Sequence, residues 1–201
     1  MSNIKVKICG IKTPEALHAA ESGGANFLGF VFCEKSPRNI NMATAKQLGA
    51  ITKIPKVAVT VDASDELIAD IIGNLKPDYI QLHGTETEAR AQEIKSKFNI
   101  KLIKALSPNT NHPSPTLYDF LMFDSPGGGT GKQFDYSNFK APKGIDWFLS
   151  GGLNAQNVEE AIKKTGAKFV DVSSGVESER GVKSSELIKQ FLSKVHDIKR
   201  I

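Results

Sequence analysis

Two residues that can move protons stand at corresponding points of a repeating pattern. Cys9 closes the alternating segment Ile4–Cys9, and Asp124 follows the apolar run Phe120–Phe123. Along the first segment Ile4, Val6 and Ile8 share one face, while Lys5, Lys7 and Cys9 share the other. A lysine below a thiol favours thiolate, the form that acts as base or nucleophile, so Lys7 is expected to lower the pKa of Cys9. A small buried hydrophobe is the plainer role for a free cysteine, and the segment alone leaves both roles open. Asp124 could simply cap the turn after it. As a general acid it needs apolar neighbours, which Phe120 and Met122 on its own face would supply.

The loop that follows, FDSPGGGTGKQFD (Phe123 to Asp135), has the look of a nucleotide-binding P-loop and fails at both ends. Registered on Gly131-Lys132, it has Pro126 in place of the first glycine and Gln133 in place of Ser/Thr. Its glycines, Gly128 among them, are expected instead to bring backbone close to a substrate over Asp124. Two other small-residue stretches, LSGGLN (Leu149–Asn154) and VSSGVE (Val172–Glu177), offer Gly151, Gly152, Ser173 and Ser174 as phosphate donors. Asp171 is grouped with these phosphate-binding residues; it shares a face with Ser173 and is also expected beside Lys7, because a buried lysine needs a partner. Arg38, in KSPRN, can clamp a carboxylate bidentately, and His83 can orient or bind. No H-E-x-x-H, paired C-x-x-C or G-x-S-x-G is present, so neither a metal nor a cofactor is expected.

The elements that must position these groups alternate strand with helix. Strands are expected at Ile4–Cys9, Phe27–Phe32, Lys56–Val61, Tyr79–Leu82, Lys101–Leu106, Phe120–Asp124, Asp146–Ser150 and Lys168–Ser173. Helices are expected at Pro14–Ser22, Met42–Ile51, around Leu67–Ile72, at Glu86–Phe98 and Asn154–Thr165, and last around Leu187–Val195. The three prolines of SPNTNHPSPT and the glycine loop make the fifth and sixth helices short or irregular. Eight such units without a linker predict one α/β domain spanning 1–201, a single (β/α)₈ barrel. A doubly wound open sheet would accept the same alternation, but no G-x-G-x-x-G follows the first strand. In a barrel the chemistry sits at the C-terminal strand ends, where Cys9, Cys33, Asp62, His83, Leu106, Asp124, Ser150 and Ser173 fall.

Composition narrows the partners. The chain has 201 residues, 40% hydrophobic and 24% charged, with a formal net charge of +4. Its 26 Lys/Arg are dispersed without interleaved aromatics, so nucleic acid is not expected, whereas a small anion is compatible. No 18-residue apolar run or export signal is seen, so no membrane span is expected. Two cysteines make no disulfide framework, and a cytoplasmic chain, monomeric or homodimeric, is expected.

Taken in order, KICGI (Lys7–Ile11), SPR (Ser36–Arg38), QLHG (Gln81–Gly84), FDSPGGGTGKQFD, LSGGLN and VDVSSGVE resemble the phosphoribosylanthranilate isomerase family of tryptophan biosynthesis. The resemblance covers nearly the whole chain. It implies a (β/α)₈ barrel and a cofactor-free Amadori rearrangement of a phosphosugar, N-(5-phosphoribosyl)anthranilate. It also implies that Asp124 is the general acid on the furanose oxygen and Cys9 the general base at C2′. Arg38 would hold the anthranilate carboxylate, and the loops at Gly151-Gly152 and Ser173-Ser174 the phosphate. Asn39 stands where the family often has an aromatic residue, and Ser184 where it commonly has an aspartate. A phosphosugar epimerase or synthase and a non-catalytic phospho-ligand binder are the rival readings. The former usually carries metal-binding histidines and carboxylates, and the latter needs neither an acid nor a base.

Overall fold

The computed structural model describes residues 4–108, 110, 113–114, 116–125, 136 and 139–198. Eight strands, β1 (Lys5–Cys9), β2 (Phe27–Phe32), β3 (Lys56–Thr60), β4 (Tyr79–Leu82), β5 (Lys101–Leu106), β6 (Phe120–Phe123), β7 (Trp147–Leu149) and β8 (Phe169–Val172), close a barrel in chain order. Every neighbouring pair is parallel, and β1 meets β8 with Lys7 opposite Asp171. The open-sheet alternative is thereby excluded.

Helices α1 (Pro14–Ser22), α2 (Met42–Ile51), α3 (Asp65–Leu75) and α4 (Glu88–Phe98) follow the first four strands, and α5 (Val158–Thr165) and α6 (Ser185–His196) the last two. After β5 and β6 no α-helix occurs among the described residues, in keeping with the prolines and glycines there. Two helices start later than periodicity suggests. Glu86 turns away from α4 to accept the Asp62 and Gly84 N–H groups, and Thr87 caps the helix. Residues 154–157 form an asparagine turn, with Asn154 Oδ1 accepting from the Gln156 and Asn157 N–H groups. Ser184 caps α6 by accepting from the Leu187 N–H, so serine serves at that position. A short antiparallel hairpin, β9 (Glu177–Glu179) with β10 (Val182–Lys183), was not expected. No helix among the described residues is long and apolar enough to cross a membrane.

Strand alternation sorts the core into two parts. Outward residues such as Val6, Ile8, Leu28 and Val170 pack beneath the helices. Inward residues fill the barrel, and its lower end is plugged by Phe27, Tyr79, Phe120, Phe148 and Phe169, with ring centroids from 5.1 to 6.4 Å apart. A dry floor of aromatic rings leaves only the opposite mouth for polar chemistry.

Between floor and mouth lies a buried ion pair. Lys7 is wholly buried, and its Nζ donates to Asp171 Oδ1 at 2.7 Å. Ser150 Oγ donates to Asp171 Oδ2 at 3.0 Å. Burial is the largest single influence and pulls the Lys7 pKa down, but the charges and hydrogen bonds of Asp171 and Cys9 together outweigh it, and the ammonium is held above its ordinary value. The pairing expected from the alternation of β1 and β8 is present. Gly29, inward on β2, makes it possible: a Cβ there would lie 2.9 Å from Cys9 Sγ and 3.2 Å from Lys7 Cε.

Removing one partner of such a pair strands the other in a low-dielectric interior. Lys7→Met should cost about 3–5 kcal/mol of unfolding free energy, read by denaturant titration. The double variant Lys7→Met/Asp171→Leu should recover much of that loss. A single variant that unfolds at the wild-type midpoint would show that the pair carries no such constraint.

Candidate active site

The mouth holds a cavity of about 740 Å³ whose wall includes Cys9, Arg38, His83, Asp124, Gly152 and Ser174. With Gly151, Asp171 and Ser173, which also line it, nine of the site residues singled out from sequence therefore come together, from strands distant in the chain.

Cys9 ends β1 and is only 7% exposed. Its backbone carbonyl accepts from Ser173 Oγ at 3.1 Å, which ties the first strand end to the eighth. The expectation that Lys7 would depress the thiol pKa needs correction. Burial is the largest influence and pushes the thiol above its ordinary value of 9.0. Lys7 and Lys183 favour thiolate, Asp171 opposes them, and the balance of these charges does not overcome burial.

Asp124 follows β6 and is 8% exposed. Its Oδ1 accepts from the Ser125 N–H at 2.8 Å, and its Oδ2 lies 3.3 Å from His83 Nε2. The other ring nitrogen, Nδ1, is 2.8 Å from the amide Nε2 of Gln81. With that amide as donor, the imidazole proton sits on Nε2 and faces the carboxylate. His83, expected as a substrate group, thus touches Asp124. Gln81 Oε1, which lines the cavity, is a buried acceptor without a partner among the described residues.

Arg38 is 8% exposed and lies across Gly10, whose added Cβ would be 3.1 Å from Arg38 Cδ. Its fork is already occupied: Nε and Nη2 donate to Glu177 Oε1 and Oε2 at 2.7 and 3.0 Å. Glu177 also accepts from Lys183 Nζ at 2.7 Å and from the Gly181 N–H at 3.0 Å. Burial alone would raise the Glu177 pKa, but the Arg38 and Lys183 hydrogen bonds and charges bring it down to about 2. Glu177 closes the VSSGVE motif and was given no role from sequence. A carboxylate immediately after a phosphate-type loop was the signal that a cation had to be near.

The two small-residue loops flank each other at the mouth. Gly151 has φ +91°, and a Cβ there would come within 2.7 Å of the Ser125 backbone nitrogen. This loop is therefore seated directly on the residue after Asp124. Asn157 Nδ2 engages the Gly152 carbonyl at 2.8 Å, while no described residue accepts from the Gly152 or Ser174 N–H. Ser174 starts a single 3₁₀ turn, Ser174–Val176, whose first N–H groups have no internal acceptor. Ser173 spends its hydroxyl on Cys9, and its oxygens accept from Lys183 Nζ. Asp171 lines the cavity floor with both oxygens engaged by Lys7 and Ser150. An ionised carboxylate has no donors for a phosphate, so its place is in the ion pair.

On the far wall Lys104 Nζ contacts Glu86 Oε2 at 2.8 Å and the Gly84 carbonyl at 3.0 Å. Asp62 accepts from Thr85 N and Oγ, which makes it a loop brace rather than a reactive group. Asn39 Oδ1 accepts from the Cys33 N–H at 2.9 Å, bracing the loop that carries Arg38. Gly128, and with it residues 126–135 of the glycine loop, lies outside the described residues. Among the described residues no group of three His, Cys, Asp or Glu is placed to hold a metal ion.

Residues 6–194 match the family model described as N-(5′-phosphoribosyl)anthranilate isomerase. The N-(5′-phosphoribosyl)anthranilate isomerase of Parvibaculum lavamentivorans is 42% identical, the alignment covering 94% of this chain and 97% of that one. The crystal structure of phosphoribosyl anthranilate isomerase from Thermus thermophilus superposes with a TM-score of 0.83 at 28% identity, covering 98% of this chain and all of that one. A second similar structure, TM-score 0.78 at 29% identity over 96% of this chain and 98% of that one, is a phosphoribosyl anthranilate isomerase in complex with reduced 1-(o-carboxyphenylamino)-1-deoxyribulose 5-phosphate.

Two titrations follow from this geometry. Thiolate absorbance in the ultraviolet, taken as the difference between the native chain and Cys9→Ser, should titrate with a midpoint above the ordinary 9.0. A midpoint near neutrality would mean that Lys7 prevails over burial. Glu177, whose folded pKa is depressed, adds stability that is present above its ordinary 4.5 and is lost as pH falls toward about 2. Glu177→Gln should therefore flatten the acid limb of the stability–pH curve, and an unaltered acid limb would contradict the depressed value.

Proposed function

The chain belongs to the N-(5′-phosphoribosyl)anthranilate isomerase family, and from that premise we propose the residues that carry out its reaction. The reaction is the aldose–ketose isomerisation of N-(5-phosphoribosyl)anthranilate to 1-(2-carboxyphenylamino)-1-deoxyribulose 5-phosphate, in tryptophan biosynthesis. The observation that carries the residue assignment is the convergence on one cavity of a thiol from β1 and a carboxyl group from beyond β6, both buried.

Asp124 is the general acid. In its protonated form it gives a proton to the furanose oxygen as the C1′–O bond breaks, and the anthranilate nitrogen lone pair completes a C1′=N iminium. The His83 imidazole, 3.3 Å from Oδ2, holds the carboxyl group in place and can return the proton after release. Cys9, as thiolate, removes the C2′ proton. The C–H electron pair forms the C1′=C2′ bond, and the iminium π pair returns to nitrogen. The resulting enolamine tautomerises to the ketose, so no proton is gained or lost overall.

The phosphate sits against the free N–H groups of Gly152 and Ser174, with Gly151 and Ser173 shaping the two loops. Arg38 faces the ring carboxylate with the edge that Glu177 leaves open, its Nη1. The chain works as a monomer or homodimer in the cytoplasm. A similar structure at TM-score 0.77 concerns monomers generated from a dimeric Thermotoga maritima enzyme.

Growth of a tryptophan auxotroph lacking this isomerase step is the direct test: the native gene should restore it. A soluble product that fails to do so would return the epimerase and binder readings. Cys9→Ser and Asp124→Asn should each lower turnover by about 10²- to 10⁴-fold, the usual contribution of a positioned acid or base. Near-native turnover in either variant would remove that residue from its role.

A further inference from the structure

Arg38 and Glu177 raise a question that the proposed reaction leaves open. A carboxylate is held most firmly by a planar fork of two parallel N–H groups. In Arg38 that fork already faces Glu177 through Nε and Nη2 at 2.7 and 3.0 Å, so one edge alone remains for a ligand. A second cation at the same corner would complete the grip.

Arg180 stands there. It lines the cavity, it is exposed, and no described residue pairs with it. It occupies the turn between β9 and β10, and that turn is fixed in place. The Gly181 N–H donates to Glu177 Oε2 at 3.0 Å, the same oxygen that accepts from Arg38 Nη2. Gly181, at φ +85°, lies so close to Pro37 that a Cβ on it would be 2.6 Å from the Pro37 carbonyl oxygen. Arg180 precedes Gly181 and Arg38 follows Pro37, so the two guanidinium-bearing residues flank one backbone contact. Lys35 is the other cation on the cavity wall with no described partner. Its ammonium on a flexible stem supplies charge without a fork, which makes Arg180 the better match to a planar carboxylate.

We propose that Arg180 receives the ring carboxylate of the substrate together with the open edge of Arg38, and so sets the preference for an N-aryl group that carries an ortho carboxylate. This rests on the isomerase reading above. The hairpin then has a purpose beyond capping the barrel: Glu177 locks Arg38 on one side and, through Gly181, presents a free guanidinium on the other.

The test uses two probes on the full chain. One is reduced 1-(o-carboxyphenylamino)-1-deoxyribulose 5-phosphate, and the other is the same compound without the ring carboxylate. Arg180→Gln should weaken binding of the first by about ten- to a hundredfold, the scale of a hydrogen bond to a charged group. Binding of the second should change less than about twofold on the same scale. In turnover the loss should appear in KM, and Arg180→Lys should restore part of it. Native affinity of Arg180→Gln for the carboxylate probe overturns the proposal, as does an equal loss for both probes. If the native chain itself neither binds the probes nor turns over the substrate, the isomerase reading fails and this proposal falls with it. That outcome is distinguishable, because it does not depend on the variant.

Discussion

The barrel closes where its first strand meets its last, and at that seam Lys7 and Asp171 face each other inside it. Two charges withdrawn from water are tolerable only when each compensates the other, so the pair constrains the register of β1 on β8. A slip by one residue would turn Lys7 toward the helices and Cys9 out of the mouth, since successive side chains on a strand point to opposite faces. The same register brings Ser173 over the Cys9 carbonyl and Ser150 onto Asp171. Gly29 supplies the remaining condition, the absence of a side chain where Cys9 and Lys7 need room.

Above this seam the mouth is laced by carboxylates held as braces. Glu177 gathers Arg38, Lys183 and Gly181, and Glu86 gathers Lys104, Asp62 and Gly84. Each fixes a loop end by charge-assisted hydrogen bonds in surroundings where such bonds are strong. Positioning is thereby separated from reaction: the bracing carboxylates are held by cations and backbone N–H groups, while Asp124 meets a histidine and one N–H. The second kind of neighbour suits the proton-carrying role proposed for Asp124.

The strands were legible because both periodicities were intact, the inward–outward alternation of β1 and the fully apolar runs of β2 and β6. Helix starts were less so at α4 and α5, where Glu86 and Asn154 are used by turn and loop geometry before the helix begins. The β9–β10 hairpin left no pattern, since two- and three-residue strands are too short for a period to show. Among site residues, Lys7 and Asp171 could be paired from alternation alone. The engagement of Arg38 by Glu177 could not, because the two are 139 residues apart and nothing local links them.

The direction of the Cys9 shift was misjudged for a physical reason that bears on catalysis. Burial of the thiol is the largest influence, and the field of Lys7, opposed in part by that of its counterion Asp171, does not overcome it. The result is a thiol that rarely ionises at neutral pH but is, once ionised, a stronger base than an exposed thiolate. In the role proposed for Cys9, abstraction of a carbon-bound proton that is weakly acidic even beside an iminium, base strength and thiolate population pull against each other. Burial in this barrel favours strength. Lys183 and Lys7 then determine how much population survives, and both answer to carboxylates, Glu177 and Asp171, that are held within the fold itself.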